Sequence, residues 1–186
     1  MSDDLRDALR DDLLGRVAGV LPGVRRDLEA LVRIQSVSAD PERAGEVQRS
    51  AEAVRDLFAA EGFDVQITSA EGGRPAVIAH KRSRREGAPT VLLYAHHDVQ
   101  PENDHADWDS PPFEPTERDS TNGRRLYARG AADDKAGIAA HLGAIRIHGD
   151  DLPVNVVMFV EGEEEVGSDS LPALLEQHLD DLRADV

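Results

Sequence analysis

The chain has 186 residues, 40% of them hydrophobic, enough to bury one core, or one core and part of a second, rather than stay disordered. Lys and Arg number 21 against 37 Asp and Glu, for a net charge of −16; so acidic a surface repels phosphate backbones and anionic lipid, which argues against nucleic-acid and membrane partners. There is no cysteine, so disulfides, thiolate metal sites and cysteine nucleophiles are excluded, and a metal would have to be held by histidine and carboxylates. The N-terminus is charged throughout and lacks the apolar centre of a signal peptide, and nothing approaches ~18 consecutive apolar residues. These features predict a cytoplasmic protein.

Residues 3–20 predict an amphipathic helix, with Leu5, Leu9, Leu13 and Val17 recurring every four positions. Pro22 and Gly23 are expected to end it, and Val24, Leu28, Leu31 and Val32 to line a second helix. A third is predicted over 44–61, with Gly62 as its stop. The period then changes. FDVQIT (63–68) and PAVIAHK (75–81) read as strands, and VLLYAHH (91–97) as a continuous apolar strand covered on both faces. Residues 98–125 read as a long polar loop carrying Pro101, Pro111, Pro112 and Pro115, a length that usually signals function. A helix over 134–148, a buried strand over 152–160 and a last helix over 169–180 follow. The pattern predicts an α/β layered domain with a mixed sheet flanked by helices. In such sheets, ligands gather at the loops leaving the carboxyl ends of strands.

Three acidic or histidine-bearing clusters fall there. In His96-His97-Asp98, positions i and i+2 of an extended segment share a face, so His96 and Asp98 project together and His97 away. A carboxylate beside an imidazole fixes its orientation for metal binding. Alone, the segment reads more readily as two surface histidines and a turn aspartate. The second cluster, Asp133-Asp134-Lys135, precedes a helix, where one aspartate serves as a cap. The bare approach of Gly130, Ala131 and Ala132 suits a backbone running close to something. The third puts Glu161, Glu163, Glu164 and Glu165 directly after a buried strand, a density that needs solvent or a cation. Imidazole and oxygen ligands suit Zn²⁺, Mn²⁺ or Co²⁺, and a glutamate outside the ligand set can act as general base.

In order, YAHHDVQP (94–101), LYARGAADDKAG (126–137) and EGEEEVGS (161–168) resemble the three motifs of a zinc peptidase family. That family contains carnosine-type dipeptidases, glutamate carboxypeptidase, aminoacylases and the acetylornithine and succinyl-diaminopimelate deacylases. The resemblance covers about residues 25–186, including WDSPPFEPT (108–116). It implies a zinc-exopeptidase-like catalytic fold and metal-assisted amide hydrolysis. His96 then resembles a ligand of one zinc, and Asp98 the carboxylate that clamps its ring. Asp133 resembles the ligand bridging two zincs, and its bond to Asp134 aligns with a linkage often cis in the family. Glu164 resembles the general base, taking a proton from the attacking water and passing it to the leaving amine. Glu165 resembles a further ligand, with His97 and Glu163 as bystanders. Two zinc ions per complete site are implied, with Co²⁺ or Mn²⁺ as substitutes, and a homodimer for the complete chain. The VQP and DDK details lean towards dipeptide substrates; the loop at 108–116 suits N-acyl amino acids equally.

The sequence also departs from the family, whose members use five protein ligands for two zincs. Only three have matches. A fourth is expected a little beyond Glu165, with LRADV (182–186) reading as the start of its strand, and His80, His105, His141, His148 and His178 stand in the wrong contexts for the fifth. The resemblance thus implies that residues 1–186 are the N-terminal portion of a catalytic domain, without its C-terminal part or the lid and dimerisation domain. By itself such a chain is expected to bind zinc weakly and hydrolyse little, and a non-catalytic binding remnant is the alternative.

Overall fold

A computed structural model describes residues 3–121 and 123–186. Its centre is a four-stranded mixed sheet of β1 (Asp64–Thr68), β2 (Ala76–Lys81), β3 (Thr90–His96) and β6 (Asn155–Glu161). The order is β1-β2-β6-β3, with β2 antiparallel to β1 and β6, and β3 parallel to β6. The chain crosses from β3 to β6 through a separate antiparallel ribbon, β4 (Thr116–Ser120) and β5 (Gly123–Tyr127), and α3 (Lys135–His148). Three further helices, α1 (Asp3–Val32), α2 (Ala44–Ala60) and the short α4 (Leu171–Gln177), complete the layers.

Strand alternation divides the core between the two faces. Val77, Ala79, Ala95, Met158 and Val160 face Leu31 of α1, Val54 and Phe58 of α2, and Ile138 and Leu142 of α3. Their neighbours Ala76, Ile78 and Phe159 face Leu174 of α4. Each large aliphatic or aromatic side chain buried this way is worth about 1.5–3 kcal/mol. Truncating one such as Ile138, which is wholly buried, to alanine would cost about 2–5 kcal/mol. Gly62, with φ of 79°, follows α2 in the left-handed conformation that ends helices.

Three expectations are corrected. The two helices expected on either side of Pro22 are one helix of 30 residues. Pro22 forfeits a backbone hydrogen bond, a defect of roughly 3 kcal/mol, but packing along α3 spans the break. Arg16 reaches the Ile147 carbonyl, Val24 lies against Gly143, and Asp27 pairs with Arg146 at 2.5 Å. The side chains of Leu5 and Leu9 lie outside the described residues, while Leu13, Leu14 and Leu21 are exposed. Second, the stretch 98–125 is not one loop: its end holds the β4–β5 ribbon, whose last pair is Ser120 with Gly123. The apolar alternation that betrays a strand is absent because the ribbon is held by charge and stacking, with Arg118 at 2.9 Å from Asp109 and 4.9 Å over the Tyr127 ring. Third, β3 is not covered on both sides. It is the outer strand of the sheet, and Tyr94 is exposed. Its apolar run is buried on one face only: Leu93 and Ala95 join the helix-covered core, while Tyr94 on the other face packs in part against the Phe159 ring. At its outer edge Leu92 N–H donates to the Val186 carbonyl at 2.9 Å, and His141 Nε2 meets the Tyr94 carbonyl at 2.9 Å.

Candidate metal centre

The end of β3 delivers His96 to the carboxyl edge of the sheet, where its ring is almost fully buried. Its Nε2 lies 3.1 Å from Asp133 Oδ1 and 3.7 Å from Glu164 Oε2. Its Nδ1 lies 3.1 Å from the main-chain carbonyl of Asp98 and 3.3 Å from Asp98 Oδ1, with hydrogen-bond geometry to the carbonyl. Either acceptor engages Nδ1 and leaves Nε2 as the nitrogen that faces Asp133. Burial disfavours the imidazolium, yet Asp98, Asp133 and Glu164 together raise His96 to about 9.

Asp98 is fully buried and ties several segments together. Its Oδ2 accepts from the Ser38 hydroxyl at 2.6 Å and from the Glu165 backbone N–H at 3.1 Å. Burial pushes its carboxyl up, but His96, Ser38 and that N–H outweigh it and hold Asp98 below the usual range. His97 points away, as expected, but is wholly buried rather than on the surface. Its Nε2 meets the Pro75 carbonyl at 2.8 Å, and burial lowers it to about 4, so the ring is neutral.

The second segment turns at Gly130, whose φ of 78° and approach to Val99 leave no room for a side chain: a Cβ would lie 2.8 Å from Val99 Cγ1. The Asp133–Asp134 peptide is cis. Asp133 projects outward with its side chain 78% exposed. Asp134 caps α3 by accepting from Gly137 N–H at 3.1 Å, and also accepts from His96 N–H at 3.3 Å. Lys135 turns inward and is fully buried, which lowers its amine to about 7 against the pull of Asp98.

The third segment leaves β6 through Gly162, where a Cβ would strike the Pro75 carbonyl at 2.2 Å and His97 Nε2 at 2.8 Å. Glu163 is buried and accepts from Arg74 N–H at 2.9 Å and Ser170 N–H at 2.7 Å. It is therefore an anchor of the loop and not idle. Glu164 and Glu165 emerge beside His96, and Gln100 Nε2 holds Glu165 Oε2 at 2.8 Å. The five expected site residues thus converge: His96, Asp133 and Glu165 offer donor atoms all within 4.8 Å of one another, with Asp98 behind and Glu164 alongside.

This donor set fits a divalent ion. One imidazole and two carboxylates suit Zn²⁺ or its neighbours. Two ligands of a tetrahedral ion at about 2.1 Å stand about 3.4 Å apart, close to the 3.1 Å between His96 Nε2 and Asp133 Oδ1. Three of the other histidines are engaged elsewhere: His141 with the Tyr94 carbonyl at 2.9 Å, His178 with Asp181 at 2.8 Å, His80 with the Asp181 carbonyl at 2.7 Å. Sequence reasoning missed Ser38, Gln100, Lys135 and the burial of Glu163. Of these only Lys135 left a trace, a long charged residue at the start of an apolar helical stretch.

Residues 92–186 match the family model described as Peptidase family M20/M25/M40. The chain belongs to this family. Among curated relatives it is 36% identical over 166 residues to a cysteinylglycine-S-conjugate dipeptidase of Corynebacterium striatum, a match covering 87% of this chain and 35% of the relative. It is 33% identical over 159 residues to a Cys-Gly metallodipeptidase of Schizosaccharomyces pombe, covering 80% of this chain and 33% of that one. Among solved structures, human carnosine dipeptidase 1 superposes with a TM-score of 0.78 at 28% identity, over 91% of this chain and 38% of that one. The chain spans about a third of the length of the curated relatives it matches. Among the described residues no helix is long and apolar enough to cross a membrane.

Proposed function

We propose that the chain is the N-terminal portion of the catalytic domain of a metal-dependent amide-bond hydrolase acting on dipeptides. The observation that carries this reading is the convergence of His96, Asp133 and Glu165 donors within 4.8 Å, with the Glu164 carboxylate 3.7 Å from His96 Nε2. His96, Asp133 and Glu165 would hold the metal, which is zinc in this reading, with two ions in the complete site. A metal bound there would supply Lewis-acid polarisation of the scissile carbonyl and acidify water. Asp98 keeps the His96 ring in the tautomer that presents Nε2. Glu164, placed outside the ligand set, takes the proton of the attacking water on its carboxylate and returns it to the amine nitrogen that leaves. The remaining ligands, and the lid and dimerisation domain, would lie outside these 186 residues, and the working protein would be a cytoplasmic homodimer.

The similarity to two Cys-Gly-type dipeptidases over most of the chain supports a dipeptide substrate. The same groups would serve an N-acyl amino acid, so the assay must separate the two. Native full-length protein should hydrolyse dipeptides such as Cys-Gly, lose that activity to a chelator, and recover it with Zn²⁺ or Co²⁺. Hydrolysis of N-acetyl or N-succinyl amino acids in its place would make the protein a deacylase, and no metal-dependent hydrolysis of either class would sink the proposal.

A further inference from the structure

Lys135 stands two residues from Asp133 yet has no part in the chemistry proposed for the site. It is fully buried, and its Nζ donates to the Leu31 carbonyl at 2.8 Å and the Ile34 carbonyl at 2.7 Å. Leu31 lies in the last turn of α1 and Ile34 just beyond it, and each carbonyl also accepts a backbone N–H, from Ile34 at 3.0 Å and Ser36 at 2.9 Å. The side chain passes under Gly130, whose added Cβ would come 3.3 Å from Lys135 Cδ.

The segment that Lys135 grips also carries the other half of the site. Just past Ile34, the Ser36 hydroxyl donates to the His97 carbonyl at 2.7 Å, and Val99 N–H donates to the Ser36 carbonyl at 3.0 Å. Val37 pairs with Val99 in a parallel bridge, and Ser38 holds Asp98. Residues 34–38 are therefore a strut with the His96–Asp98 strand end on one side and the Asp133–Lys135 turn on the other. We propose that Lys135 is a positioning residue: its two hydrogen bonds fix the Asp133 turn to this strut and so set the separation of the His96 and Asp133 metal donors. The inference rests on the metal-holding role proposed for those two residues.

The test is a Co²⁺ titration of the full native chain, followed by d–d absorption, in the parent and in Lys135→Met. Methionine keeps the length and apolar stem but cannot donate. Affinity should fall roughly 10- to 100-fold, as when a group supporting a metal ligand is lost, in protein whose circular dichroism remains that of the parent. Removing an amine beside a cation site works electrostatically in the cation's favour, so a loss reports position and not charge. Unchanged or tighter binding overturns the inference. Parent protein that takes up no Co²⁺ would instead overturn the proposed function, which keeps the two failures apart.

Residues 1–186 contain no cysteine, so Lys135→Cys, with any cysteine elsewhere in the native protein replaced by serine, can be alkylated selectively after unfolding. Bromoethylamine rebuilds a lysine-like amine, and after refolding should restore tight Co²⁺ binding, where iodoethane, which adds a stem without a donor, should not; equal affinities for the two products overturn the inference. If none of these variants folds, hydrogen exchange on the parent decides. Co²⁺ should slow exchange of the Ile34, Ser36 and Val37 amides through the strut, since coupling between sites is reciprocal, and no change there counts against Lys135.

Discussion

The floor and the rim of the candidate centre are built on opposite principles. On the floor, His96 and Asp98 are buried, and Ser38, Asp98 and Lys135 each have hydrogen-bond partners from a distant part of the chain. At the rim, the Asp133 side chain is 78% exposed and that of Glu164 is 45% exposed. Under the proposed metal-binding role, the difference follows from what each group must do. An imidazole binds a metal only with the right nitrogen free and correctly aimed, which a buried network fixes in advance. Carboxylates crowded around one point repel, and water keeps that repulsion tolerable until a cation arrives. The floor supplies direction and the rim supplies charge.

The largest expected effect tests whether the rim carboxylates are interchangeable. Glu164→Gln should lower kcat by about 10²- to 10⁴-fold, the range for losing a general base, with Co²⁺ affinity kept. Equal loss of metal would show that Glu164 is a ligand and would redraw the rim. A smaller effect probes the floor. Ser38→Ala removes the hydroxyl from Asp98, and metal affinity should fall roughly tenfold while stability drops by about 1–3 kcal/mol from the buried carboxylate left short of a donor. A stability loss with unaltered affinity would reduce the floor to scaffold.

The smallest effect lies in the loop beyond the floor, where Arg43 holds Glu102 through two contacts of 2.6 and 2.9 Å. The Arg43 guanidinium, working against partial burial, keeps Glu102 at about 2 in the folded chain. A carboxyl depressed on folding stabilises above its unfolded value, near 4.5, and that contribution drains away as pH falls to about 2. Arg43→Met should therefore cost about 1 kcal/mol in urea unfolding at pH 6, and the gap to the parent should close near pH 2. A gap that stays constant with pH would mean that Arg43 acts by packing, for instance through Phe113, whose ring lies 5.8 Å from its guanidinium carbon.

The rim was more legible in the sequence than the floor. Asp133, Glu164 and Glu165 stand in clusters whose charge is conspicuous, and His96 with Asp98 follows from strand alternation. The mixed sheet and its helices were legible as well, because α2 and α3 carry apolar residues at helical spacing while β2 and β6 are short apolar runs buried along most of their length. Ser38 and Gln100 were not, since a serine or glutamine in a loop carries no sign of its partner 60 or 65 residues away. The β4–β5 ribbon was hidden because charge and not apolar alternation holds it. Pro22 misled for a related reason: a local rule about helix ends was overridden by packing against α3.

The pairing of β3 with β6 places His96 opposite Glu161, and the tandem histidines make that alignment consequential during folding. A strand that slid by one residue would turn every side chain to the other face and would still present an imidazole, that of His97, where His96 belongs. Behind it, however, would stand Val99 in place of Asp98. No acid would aim the ring, Ser38 would face a methyl group, and the Glu165 N–H would lose its acceptor. In that register the imidazole would lack the carboxylate that Asp98 sets beside it here.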